Sequence, residues 1–292
     1  MATKKSNTTT GTELAPIDTF TIANRYEGMD PELLAELQDE LGDLDAENGI
    51  ACRLIKIPAG GGLAYEVQGE DDDEVEYMKE ISGVIIFTHR MNGFWPGKFG
   101  AGDTGEDKIP CCSSMDGKTG LWRDTGEVRN CETCPMNQFG SAPDDKGGQG
   151  RGKACKNMRR LYMMLDGDPN VYLLTVPPTS IKEVNRQLVK IMGSKGIPYT
   201  GLIVSLRLEK ATNNNGVAYS KVLLEKKGLL PPAVSAQAKE LRRQVKEQYQ
   251  NLAVTLDDYV TAAPAEAAAG EATAQEGFTE VEAATDEELP FK

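Results

Sequence analysis

The chain has 292 residues, six of them cysteine and one histidine, and five of the six cysteines fall between positions 111 and 155. Cys111 and Cys112 are adjacent, Cys131 and Cys134 bracket Glu132-Thr133, and Cys155 closes the group. A Cys-x-x-Cys step lets two sulfurs face one ion while nearby backbone amides stabilise the thiolates. Four such ligands at about 2.3 Å make a closed, structural zinc site. The spacing Cys112-x18-Cys131-x2-Cys134-x20-Cys155 therefore gives an expected Zn²⁺ site with Cys112, Cys131, Cys134 and Cys155 as ligands. Cys112 is chosen over Cys111 because the turn Ser113-Ser114-Met115-Asp116-Gly117 follows it directly. Two alternatives stay open: reduced thiols with no metal, and a redox Cys-x-x-Cys, which would normally sit in a βαβ unit. Cys52 lies far from the cluster and reads as a buried apolar residue; His89 reads as the end of a strand. With one histidine, and with the acids of 70–76 clustered in an expected loop, no convergent acid–base set stands in the sequence. No catalytic residue is assigned, and the chain is not read as an enzyme.

The segment around the last cysteine is strongly basic. Lys146 to Arg160 holds six basic residues and no acid. Proteins that hold single-stranded nucleic acid combine such a charged track with aromatic faces on which bases stack. Glycines in the same stretch let a backbone approach phosphates. The candidate contacts are Lys98, Arg123, Lys146, Arg151, Lys153, Lys156, Arg159 and Arg160, with Phe94, Trp95, Trp122 and Phe139 as platforms; Phe99 and the strand tyrosines Tyr162, Tyr172 and Tyr219 are secondary candidates. The overall charge of −13 hides this pattern. Residues 1–80 carry 6 basic and 19 acidic side chains, 81–256 carry 25 and 16, and 257–292 carry 1 and 10. A basic middle between acidic flanks fits a polyanion-binding core.

The elements that must position these groups are mainly β. Strand patterns cover 51–57, 63–67, 81–88, 159–165, 171–176, 200–210 and 217–226, the last two joined by a turn at Asn213-Asn214-Asn215-Gly216. Pro31 to Leu44 reads as an acidic amphipathic helix capped by Asp30. Ser180–Met192 reads as a helix with Ser180 and Glu183 in a capping box, and a charged helix runs from Pro231-Pro232 to about Leu252. Residues 92–155 are glycine-rich with little hydrophobic periodicity, so something other than an apolar core must order them. The expected fold is α+β: an oligonucleotide-binding (OB)-like β-barrel within 30–256, carrying a zinc insertion at 92–155, with a disordered leader at 1–29 and a disordered acidic tail at 257–292. No apolar run approaches the roughly 20 residues of a membrane helix, and Met1–Thr10 is polar with no apolar run behind it, so a cytoplasmic location is expected.

The chain ends Asp286-Glu287-Glu288-Leu289-Pro290-Phe291-Lys292. Acids followed by Leu-Pro-Phe resemble the tip of bacterial single-stranded DNA-binding proteins, where the tip recruits replication and repair enzymes and competes with DNA for the basic groove. Here Lys292 follows Phe291, so the free carboxylate is displaced from the Phe. The segment Cys131-x-x-Cys134-Pro-Met-Asn-Gln-Phe-Gly-Ser, followed by Gly-Lys-Ala-Cys155-Lys-Asn, is similar to a pattern in bacteriophage proteins of the single-stranded DNA-binding type, over about a quarter of the chain. The resemblance implies a phage replication or recombination protein that coats single-stranded DNA in the host cytoplasm and binds replication or repair partners through Asp286, Glu287, Glu288, Leu289, Pro290 and Phe291. The competing expectation is a zinc-containing interaction or transcription regulator that grips a polymerase.

Overall fold

The computed structural model describes residues 17–24, 26–45, 52–71, 74–96, 109–143, 148, 150–213, 216–252 and 254. The fold is mainly β with three α-helices among these residues. In chain order the elements are α1 (Pro31–Asp45), β1 (Cys52–Lys56), β2 (Tyr65–Gln68), β3 (Val75–Met78), β4 (Glu80–Phe94), β5 (Cys112–Ser114), β6 (Thr119–Trp122), β7 (Val128–Asn130), β8 (Lys156–Leu165), β9 (Val171–Val176), α2 (Pro178–Lys195), β10 (Leu202–Thr212), β11 (Ala218–Leu229) and α3 (Pro232–Gln248).

All the described strands belong to one hydrogen-bonded sheet. β4 pairs antiparallel with β8, β8 with β9, and β10 returns after α2 to pair antiparallel with the first half of β4. The spatial order β10-β4-β8-β9 is that of a Greek key. β11 extends it as a hairpin on β10. On the other side β1 lies parallel to β9, with Cys52 opposite Val171 and Ile55 opposite Leu174, and β2 and β3 follow as a meander. The sheet curls. Ser220 Oγ on β11 lies 2.8 Å from the carbonyl oxygens of Pro58 and Gly62, in the connection between β1 and β2.

Both faces of the sheet are covered. On one, Ile81, Ile85, Leu161, Met163, Leu174, Val204, Leu206 and Val222 pack on Val184, Leu188 and Ile191 of α2. On the other, Val84, Ile86, Phe87, Tyr162, Met164 and Leu173 pack on Ala238 and Val245 of α3 and on Phe20. A strand buried on both faces reads as a continuous apolar run, which is why Val84–Phe87 lacks alternation. A register shift between Ile85 and Phe87 resets the alternation. Beyond it Phe87, His89 and Met91 face the α3 side and Thr88, Arg90 and Asn92 the α2 side.

Several local expectations change. β4 continues to Phe94, past the expected stop at Thr88, because β8 pairs with it through Gly93. α2 begins at Pro178 rather than at a Ser180 cap. The Ser180 hydroxyl is fully buried and accepts from Val222 N at 2.9 Å, pinning the helix to β11, while Glu183 bonds Arg186 and Gln187 along the helix. Asp30 caps α1 as expected, accepting from Glu32 N at 2.9 Å. Part of the expected leader is docked: Ile17 N donates to Leu229 O, and Phe20 is 3% exposed in the α3-side core. The expected tail at 257–292 lies outside the described residues. Among the described residues no helix is long and apolar enough to cross a membrane.

Gly83 sits where β4 meets both β8 and β10, and a Cβ there would stand 2.4 Å from the Met164 carbonyl oxygen. Backbone cannot yield as a flexible side chain does. Gly83→Ala is expected to destabilise the fold by about 1–3 kcal/mol, read as a lower thermal midpoint; an unchanged midpoint would count against the register described.

Candidate functional site

The cysteine segment leaves the sheet at Phe94 and returns at Lys156. Within it β5 pairs with the end of β4, β6 with β5, and β7 with β6, so a three-stranded flap continues the main sheet. Adjacent strand residues point to opposite faces, and this separates the neighbouring thiols: Cys112 lines a small cavity and Cys111 is not among the residues that wall it. Cys131 is held at the end of β7, where its N–H donates to Lys118 O. The Cys131–Cys134 turn is fixed by Asn130 Oδ1, which accepts from Glu132 N at 2.8 Å, and by Asn137 Nδ2, which donates to Cys131 O at 2.6 Å. Cys155 N donates to Met136 O, bringing the far end of the segment to the same turn.

Cys112, Cys131, Cys134 and Cys155 thus wall one cavity, together with Asn92, Phe94, Gly120, Trp122 and Asn137. Its free space of about 20 Å³ is room for one water-sized occupant. Gly120 is required by this approach: a Cβ there would lie 3.1 Å from Cys112 Sγ and 3.5 Å from Cys131 Sγ. Among the described residues no group of three or more His, Cys, Asp or Glu side chains is arranged to hold a metal ion, although the four cysteines line one cavity. Burial, and then the other thiols of the quartet, push Cys155 up to about 12 and Cys112 up to about 11. Thiols that raise one another's pKa form a group which a cation would convert to thiolates. The Trp122 indole N–H, buried with no hydrogen-bond partner among the described residues, belongs to the same wall. Four thiols are the number and kind of donor that a structural zinc site uses.

The basic and aromatic candidates divide. Phe94 and Trp122 lie at the cavity with ring centroids 5.8 Å apart, and the Arg129 guanidinium sits 4.8 Å from the Trp122 centroid. Phe139 is 81% exposed, with Lys153 Nζ 5.0 Å from its ring. Lys153 Nζ also lies 3.3 Å from Asn137 Oδ1 and Asn157 Oδ1, bridging the cysteine turn to β8. Arg151 is exposed, and Arg123 is exposed beside Asp124. Lys156 is half-buried, and its pKa is lowered by that burial. Arg159 is half-buried on the α2 side of β8. Two candidates are turned inward. Trp95 is 8% exposed in a small core with Met91, Met158 and Val254, and Arg160 is fully buried, donating to Leu252 O at 3.3 Å. Neither is offered to a ligand, because alternation along β4 and β8 turns Met91, Met158 and Arg160 to the α3 side. Lys98 and Lys146 and the tip 286–291 lie outside the described residues. Sequence reasoning missed Arg90, Asn92, Asn137 and Asn157. The signal for the first two was the alternation Thr88, Arg90, Asn92, Phe94 beyond the expected end of β4.

His89 is not a strand end, because β4 runs on to Phe94. Its Nδ1 lies 2.9 Å from Arg90 O and 2.8 Å from Met115 O, so Nδ1 carries the proton and Nε2 faces the Tyr162 hydroxyl at 3.3 Å. No protein-family model, curated protein or solved structure matches the chain.

Burial, more than the nearby Arg160 and Arg159, depresses the His89 pKa to about 4 from 6.5. The folded state then binds fewer protons than the unfolded chain between those values, so this contribution is complete above pH 6.5 and is lost as pH falls toward 4. The expected loss from pH 7 to pH 5 is about 2 kcal/mol. His89→Gln shares every other titrating group, so unfolding at the two pH values in both proteins isolates the effect; equal losses in both would refute it.

Proposed function

We propose that this chain is a single-stranded DNA-binding protein built on an OB-like barrel, with one structural zinc ion held by Cys112, Cys131, Cys134 and Cys155. The observation that carries the reading is the meeting of these four thiols at one cavity whose wall also includes Phe94, Trp122 and Asn92. Metal centre and aromatic surface are thereby one locus. Zinc would neutralise the four thiolates and lock β5–β7 and the arm ending at Cys155 against the end of β4.

The architecture supports the same reading. In OB-type barrels the first interstrand loop and the loop between the fourth and fifth strands hold oligonucleotides. Taking β4, β8, β9, β10 and β11 as those five strands, with α2 between the third and fourth, the cysteine segment is the first loop and the turn near Asn213 is the other. β1, parallel on β9, takes the place beside the third strand. Phosphate contacts would come from Arg151, Lys153 and Arg159, and stacking from Phe94, Trp122 and Phe139, in a mode that tolerates any base sequence. The acidic tip 286–291, by its resemblance to bacterial tips, would recruit replication or repair proteins.

Two outcomes are expected. Metal analysis of the purified protein gives one zinc per chain. Cys131→Ser and Cys155→Ser lose it and weaken oligo-dT binding, whereas Cys52→Ser and Cys111→Ser keep it; a wild-type chain without zinc, or without affinity for oligo-dT at low salt, refutes the proposal. Deletion of 257–292, which removes nine net negative charges, tightens oligo-dT binding at low salt and has less effect as salt screens it; unchanged affinity in fluorescence titration would mean that the tail does not compete for the groove.

A further inference from the structure

Arg90 on β4 and Arg159 on β8 stand directly opposite each other across the antiparallel ladder. Opposed residues share a face with their Cβ atoms about 5 Å apart, and like charges there repel. Arg90 and burial together lower the Arg159 pKa, burial being the larger cause. Several other arginines have an acid to meet: Arg123 meets Asp124, Arg129 meets Glu127, Arg186 meets Glu183 and Arg243 meets Glu240. Among the described residues no acid lies within ion-pair distance of Arg90 or Arg159. Arg159 Nη1 donates to Thr88 Oγ1 at 3.0 Å, and Thr88 Oγ1 in turn donates to Arg160 O at 2.8 Å. The Arg159 Nε–H is buried and has no hydrogen-bond partner among the described residues. A fold that sets two arginines opposite each other on one face and leaves one N–H without a partner among the described residues is short of an anion at that point.

We propose that Arg90 and Arg159 form a two-arginine clamp for one backbone phosphate of a bound single strand, a contact separate from the glycine-rich arm. This rests on the single-strand reading above and adds to it the place where the strand enters the β4–β8 face. Guanidinium forks match phosphate oxygens in pairs. Further along the same face of β4 come Asn92, whose Oδ1 accepts from Asn157 Nδ2 at 2.8 Å, and then Phe94. Four strand steps lead from Arg90 to Phe94, about 13 Å. An anion site followed by an amide pair and an aromatic surface matches a ligand with both phosphates and bases, and an acidic peptide would leave the aromatic end unused.

The test is oligo-dT titration at several salt concentrations with wild type, Arg90→Gln and Arg159→Gln. Each substitution is expected to flatten the slope of log affinity against log salt by about 0.7, which is about fivefold in affinity between 1 M and 0.1 M salt. Arg90→Gln also relieves the repulsion, so its thermal midpoint should equal or exceed that of wild type; weaker binding by a protein at least as stable is loss of contact and not of fold. If wild type binds oligo-dT and both variants keep its affinity and slope, the clamp is refuted and the broader function stands. If wild type itself fails to bind, the function fails first. A parallel arm raises inorganic phosphate and follows the thermal midpoint. A shift with phosphate that both variants abolish, combined with unchanged oligo-dT binding, would assign the site to free phosphate and overturn the strand contact.

Discussion

Residues Gly83–Gly93 of β4 run antiparallel to Lys156–Leu165 of β8, and the cysteine segment is the loop that this pairing must close. Everything described above is placed by that ladder. Its first half is buried on both faces and builds two cores, one under α2 and one under α3. Its second half carries Thr88, Arg90, Asn92, Asn157 and Arg159 on the α2 side, past the end of the apolar core. One pair of strands thus changes from structural to polar surface without a break. The cost is the closure entropy of some sixty residues between the two strands, which grows only slowly with length but still needs local contacts to offset it. Apolar burial supplies little of that inside the segment, where Leu121 and Val128 are more than half exposed. Thiols meeting at one ion would offset it directly, because metal binding is then coupled to folding.

The α3 side of the ladder shows the opposite solution to polar groups in a strand. His89, Tyr162 and Arg160 all face inward there, and each finds a partner: carbonyl oxygens for the imidazole N–H, the imidazole for the tyrosine hydroxyl, and Leu252 O for the guanidinium. Phe87 and Tyr249 enclose them, with Tyr249 4.6 Å from His89 and 5.0 Å from Phe87 between centroids. Buried polar groups of this kind fix a unique packing when their bonds are met. The segment that follows α3, Tyr249–Leu252, is consequently keyed to β4 and β8 by more than apolar contact.

Much of this was legible in the residues. The alternating and continuous apolar runs located most of the strands of the main sheet, because hydrophobic periodicity is what burial selects. The Cys-x-x-Cys step and its two outlying partners named the four thiols that share the cavity. Pattern failed where tertiary pairing decides. β4 runs past Thr88 only because β8 lies beside it, and nothing local marks that. Ser180 looks like a helix cap, yet its hydroxyl is bonded to β11. Arg160 and Arg159 are indistinguishable in sequence, and one residue of alternation sends the first into the core and leaves the second at the surface. The strands β5–β7 are three or four residues each, too short to carry a periodic signal.

The parallel seating of β1 on β9 has a consequence for how the chain is made. Cys52 and Val171 are partners, so the first strand of the sheet has no neighbour on that side until well over a hundred further residues have left the ribosome. The β1–β2–β3 meander must wait with one edge of β1 unpaired while the β4–β8 ladder and then β9 form. Non-local parallel pairing of this sort folds slowly. Glu70, just after β2, lies 3.6 Å from Arg53 of β1, so that unpaired strand carries an ion pair at its start.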